Sequence, residues 1–87
     1  MNPELLKAEM EKRIKELPVS VRALNDENNT EITMYRIRIP KDGHSVERMV
    51  SYTELQRVDL PHFLDSVALY LIYDWAFQRY YRRLNHG

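Results

Sequence analysis

Residues 30–53 read TEITMYRIRIPKDGHSVERMVSYT, and the fold follows from how this stretch divides. Thr30 to Ile39 is dense in β-branched and aromatic residues alternating with polar ones, Pro40-Lys41-Asp42-Gly43 has turn chemistry, and Ser45 to Thr53 resumes the alternation. The stretch is predicted to form a β-hairpin. A four-residue loop would set Ile39 opposite His44 and Arg36 opposite Glu47, a favourable cross-strand charge pair. In that arrangement Tyr35, Ile37, Val46 and Val50 share one face, while Met34, Arg36, Arg38, Glu47 and Met49 share the other. The first face is the expected core and the second the expected surface.

Upstream of the hairpin, Val19 to Leu24 also has a period of two and is a third, weaker strand candidate, ending in the polar turn cluster Asn25-Asp26-Glu27-Asn28-Asn29. Before it the period is helical. Asn2 can cap a helix, Pro3 fits the first helical position, and Glu4 suits the positive end of the helix dipole. Leu6, Met10, Ile14 and Leu17 then form an apolar stripe, widened by Leu5 and Ala8, with Lys7, Glu11, Lys12, Lys15 and Glu16 on the other side. Pro18 is expected to end this helix. The charged face is the ordinary outer side of a helix packed on its own sheet.

Downstream, Glu54 to Val58 carries no decisive pattern. A second helix is predicted from about Asp59-Leu60-Pro61 to about Leu84, and from Val67 to Phe77 its apolar residues cover every side of the cylinder. Leu64, Ala68, Leu71 and Trp75 form one stripe, and Leu69, Tyr73, Ala76 and Tyr80 form another well round from it. One small sheet and one narrow helix cannot cover both. The second stripe is therefore expected at an interface, first of all with another copy of the chain as a homodimer.

The expected architecture is a single α+β domain over residues 1–87, ordered α-β-β(-β)-α, with an antiparallel sheet and both terminal helices on one face. Its order of elements resembles that of the double-stranded RNA-binding domain, whose second helix begins with lysines that contact phosphates. The corresponding turn here is Pro61-His62-Phe63-Leu64-Asp65 and holds no lysine, so the resemblance stops at topology.

At 87 residues one core is the most the chain can hold, and burial alone stabilises so short a chain only marginally. Cysteine is absent, which removes disulfides and thiolate metal sites as remedies and leaves oligomerisation. It also agrees with a reducing compartment, and the opening Met1-Asn2-Pro3-Glu4 is unlike a signal peptide, so a cytoplasmic location is expected. Thirteen basic residues balance thirteen acidic ones, so no overall field favours nucleic acid or an anionic membrane. The longest apolar run, Val67 to Tyr73, is far short of the roughly 20 residues that span a bilayer.

No glycine-rich phosphate loop or nucleophile motif is present, and His44, His62 and His86 lack metal-ligand spacing. Asp42 and His44 are explained by turn conformation. Asp65 and Asp74 lie about 13 Å apart along one helix, too far to work as an acid pair. The sequence is read as non-enzymatic, with no cofactor and no metal.

Two surfaces are left as binding candidates. Leu69, Tyr73, Ala76 and Tyr80, with Met34, Arg36, Arg38 and Met49 on the outer sheet face, have the composition of protein interfaces. Arg79, Tyr80, Tyr81, Arg82 and Arg83 interleave bases with rings that can stack on nucleobases, although arginines at a helix end are also what its dipole favours. The leading expectation is a protein-binding module with a protein target, an inhibitor or adaptor of the kind carried by phages and other mobile elements. Nucleic-acid binding is the alternative.

Overall fold

A computed structural model describes residues 1–25 and 31–86, with 78–86 described as helix backbone. The elements run α1 (Pro3–Arg13), β1 (Ser20–Asn25), β2 (Ile32–Lys41), β3 (His44–Ser51), a short 3₁₀ turn at Glu54–Gln56, and α2 (Leu60–His86). The strands form one antiparallel sheet in the order β1-β2-β3, so the weak candidate upstream of the hairpin is a true strand.

Both helices pack on one face of this sheet. Leu6, Met10 and Ile14 from α1 and its C-cap meet Tyr35, Ile37, Ile39, Val46 and Val50 from the hairpin. Phe63, Leu64, Val67, Ala68 and Leu71 of α2 complete the core. The alternation in the sequence thus assigns the faces correctly: Ile37, Val46 and Val50 are sealed from water, while Arg36 is half-buried and Glu47 exposed.

The pairing itself differs from expectation. Lys41 lies opposite His44, Ile39 opposite Val46, and Arg38 rather than Arg36 directly opposite Glu47. The loop has shrunk to Asp42-Gly43, with Gly43 at φ 76, in the left-handed region that glycine enters without steric cost. The offset is two residues, which preserves the faces. Pro40 can join the strand for a reason visible in the ladder. The Thr33 carbonyl accepts from the Tyr52 amide (3.1 Å), so odd-numbered residues of β2 direct their backbone groups at β3 and even-numbered ones at β1. Since β1 begins at Ser20, opposite Arg38, no β1 residue is paired with Pro40.

α1 also ends earlier than Pro18. Asn2 Oδ1 accepts from the Leu5 amide (2.8 Å) as expected, but the helix stops at Arg13, with Ile14 at φ −118, ψ 77. Pro18 disfavours helical geometry only at Leu17, so the helix ends before that influence is reached and the chain turns toward β1 over the intervening residues. Ile14 and Leu17 still pack against the core from this irregular segment.

Candidate functional site

Which side of α2 the sheet takes decides what the helix offers outward. Leu64, Ala68 and Leu71 are buried and Trp75 is half-buried, so the first predicted stripe is the inward one. On the outer side Leu69 is 53% exposed, Tyr73 71%, and Ala76 is exposed as well. They are joined by Tyr70 (53%) and Phe77 (62%), which the stripe drawn from sequence had left out. At 100° per residue these five positions occupy one continuous arc of roughly 120°. Tyr80 would fall within the same arc, but its side chain lies outside the described residues.

The arc is held on a firm support. The Arg48 guanidinium lies 5.7 Å from the Tyr70 ring centroid and donates to the Met49 carbonyl (2.8 Å). Arg48 is opposite Ile37, so it sits on the helix-covered face at the margin of the core. Alternation between Val46 and Val50 already implied that placement. At the far end of the hairpin, Trp75 Nε1 donates to the Pro40 carbonyl (3.4 Å), and Lys41 lies over the Trp75 ring.

The turn that leads from β3 into the 3₁₀ turn is fixed by a reciprocal pair. The Ser51 amide donates to Glu54 Oε1 and the Glu54 amide donates to Ser51 Oγ, both at 3.0 Å. These bonds hold the Glu54 carboxyl below the usual carboxylate range, the Ser51 backbone bond foremost. The S-x-x-E spacing of this capping box was readable in the sequence. Across the molecule, Arg13 joins the helices by donating to Asp65 Oδ1 (2.7 Å) and Glu9 Oε2 (2.8 Å). Arg13 in turn is the main cause that holds the Glu9 carboxyl low.

Among the described residues, no helix covers the opposite face of the sheet. Leu24, Met34, Arg36 and Met49 are half-buried there, and Arg22, Arg38 and Glu47 are exposed. Glu47 Oε2 bridges Arg38 Nε at 3.1 Å and Arg36 Nε at 3.6 Å. Arg22 stands directly opposite Arg36, so two like charges face each other across the β1–β2 ladder.

Between the irregular segment that follows α1 and the helix α2 runs a shallow groove of about 540 Å³, walled by Ile14, Leu17, Ile72, Trp75 and Ala76. Sequence reasoning missed it because the groove exists only where α1 stops at Arg13. His44 Nδ1 lies 3.1 Å from the Asp42 backbone carbonyl. Asp65 is engaged by Arg13. Among the described residues, no group of three His, Asp or Glu is placed to hold a metal ion, and no helix is long and apolar enough to cross a membrane. The side chains of Arg79, Tyr80, Tyr81, Arg82 and Arg83 lie outside the described residues. Comparison with known families, curated proteins and solved structures finds no match to the chain.

Proposed function

We propose that this protein is a small non-enzymatic interaction module that pairs with a second copy through the outer arc of α2 and offers the open sheet face to a protein target, as an inhibitor or adaptor does. The observation that carries the reading is the contiguous exposure of Leu69, Tyr70, Tyr73 and Phe77 on one side of one helix. Large apolar side chains left in water individually are ordinary, but a contiguous patch of this kind marks an interaction site. Aromatic residues, Met and Arg are the types enriched in protein interfaces, and the two surfaces are built from them. Pairing would also add burial to a chain whose own core is small.

Light scattering coupled to size exclusion at micromolar concentration tests the self-association. The expected mass is about twice 10.5 kDa, falling to that of one chain in Tyr73→Glu with the far-ultraviolet spectrum retained. A monomer at all accessible concentrations, unaltered by Tyr73→Glu, would remove self-association. Target binding is tested by capture from the native host on the intact protein. Specific capture that is lost in the double substitution Arg36→Ala, Met49→Ala and retained in Tyr73→Glu would assign it to the sheet face.

A further inference from the structure

The two edges of the sheet are finished differently. On β3 the backbone groups that face away from β2 belong to Ser45, Glu47, Met49 and Ser51, since the residues between them pair with β2. The Arg48 guanidinium donates to the Met49 carbonyl (2.8 Å) and Glu54 Oε1 accepts from the Ser51 amide (3.0 Å), so the chain's own side chains cap this edge over its second half. On β1, at the other edge, Val21 and Ala23 turn their amides and carbonyls away from β2. Among the described residues, no hydrogen bond reaches those four groups. The strand itself is firmly seated, with both side chains half-buried against the core. An open row of strand donors and acceptors is a template for a further strand, and natural sheets commonly cap such a row, as β3 does here.

Charge indicates which strand the edge accepts. On the open face, the row that crosses the sheet through the middle of β1 reads Met49, Arg36, Arg22, and its next place lies beyond the edge. Arg22 is exposed, and its cross-strand neighbour is another arginine. Glu47 bridges Arg36 and Arg38, and among the described residues no carboxylate lies within ion-pair distance of Arg22. Resting on the reading that the open sheet face meets a protein target, we infer that the outer edge of β1 binds an extended segment of that target as a fourth strand, with an Asp or Glu in the place beside Arg22. Side chains directly opposite each other across a ladder have Cβ atoms about 4.5–5.5 Å apart, so that carboxylate supplies the countercharge the Arg22 and Arg36 pair lacks. A second copy offers the wrong chemistry, because joining two β1 edges would merge two faces that each carry Arg22, Arg36 and Arg38 against Glu47. Backbone bonds thus supply the affinity, and Arg22 selects an acidic strand over a basic one.

The probe is a capped peptide, Thr-Thr-Val-Glu-Val-Thr-Thr, whose valines fall beside Val21 and Ala23 when its glutamate lies beside Arg22. It is titrated to millimolar concentration into the isotope-labelled intact protein, and amide chemical shifts and hydrogen exchange are followed. The Val21 and Ala23 amides should move downfield and exchange severalfold more slowly. The peptide with lysine in place of glutamate should bind severalfold more weakly, Arg22→Glu should reverse that order, and methylating the nitrogens of the central Val-Glu-Val should abolish the effect. No change at Val21 and Ala23, or equal binding of the two peptides, would overturn the inference. Protection of both amides without peptide, growing with protein concentration, would overturn it in favour of a second copy. Saturable shifts of Arg22, Arg36 and Arg38 by an oligothymidylate, with no peptide effect, would overturn it in favour of single-stranded nucleic acid. A target whose capture is lost in Arg36→Ala, Met49→Ala but kept in Arg22→Glu would overturn the added strand while leaving the sheet-face reading standing.

Discussion

The ammonium of Lys41, the last residue of β2, sits 4.6 Å from the centroid of the Trp75 ring and also donates to the Trp75 backbone carbonyl. Trp75 answers by donating its indole N–H to the Pro40 carbonyl (3.4 Å). The tip of the hairpin and the middle of α2 are thus tied by contacts running in both directions, and the edge of the core is closed there.

Lys41→Ala removes the cation above the ring and its hydrogen bond. Exposed cation–π contacts are worth about 0.5–1 kcal/mol and a net hydrogen bond about 1, so the expected destabilisation is about 1–2 kcal/mol. Trp75 is the only tryptophan and reports the change directly. Its emission should shift to the red in the folded variant, and urea unfolding should show the earlier midpoint. An unchanged spectrum and midpoint would mean that the tie contributes nothing in solution.

Ile37 is fully buried at the centre of the sheet, whereas its neighbour Arg36 lies on the open face. Ile37→Ala should cost about 2–5 kcal/mol and Arg36→Ala less than about 1, since Arg36 contributes a solvent-screened pair with Glu47. Chemical denaturation of the two variants ranks them. The opposite ranking would contradict the assignment of faces.

Glu54 titrates below its ordinary value because its carboxylate accepts from the Ser51 amide. A carboxyl lowered on folding contributes stability above its unfolded pKa, and that contribution disappears as pH falls through the folded value. Glu54→Gln should therefore be less stable than the parent near neutrality, and the gap should close in acid. Ser51→Ala, which removes the other half of the box, should cost about 1 kcal/mol. A gap that stays constant from neutral pH down to about 3 would exclude a charged cap.

Arg22 and Arg36 face each other across the ladder, and among the described residues Arg36 but not Arg22 has a carboxylate within ion-pair distance, that of Glu47. Arg22→Glu should raise stability by about 0.2–1 kcal/mol at low salt, with the gain shrinking as ionic strength rises. Thermal melts at two salt concentrations check both the sign and the salt dependence.

Much of this arrangement was legible in the sequence because faces depend on parity. Tyr35, Ile37, Val46 and Val50 fall inward for any even offset between the strands, so a two-residue error in the loop left the core intact. What it misplaced was the residue directly opposite Glu47, which is Arg38, although Glu47 still reaches Arg36 at 3.6 Å. The end of α1 was misread because Ile14 and Leu17 keep helical spacing while serving an irregular segment. On α2 the sequence offered apolar residues all round, and only the position of the sheet decides which arc is left over. Tyr70 and Phe77 joined the outer arc for that reason, with no motif of their own to announce them.

The sheet order β1-β2-β3 makes every strand a neighbour of the strand next to it in the chain. No crossover has to close before the sheet can form, and the two-residue turn at Asp42-Gly43 brings β2 and β3 together with almost no loop to order. Chains whose contacts are close in sequence reach their native state quickly, because little loop entropy is lost before contacts repay it. The hairpin is thus placed to form first and to serve as the surface on which β1 and both helices condense.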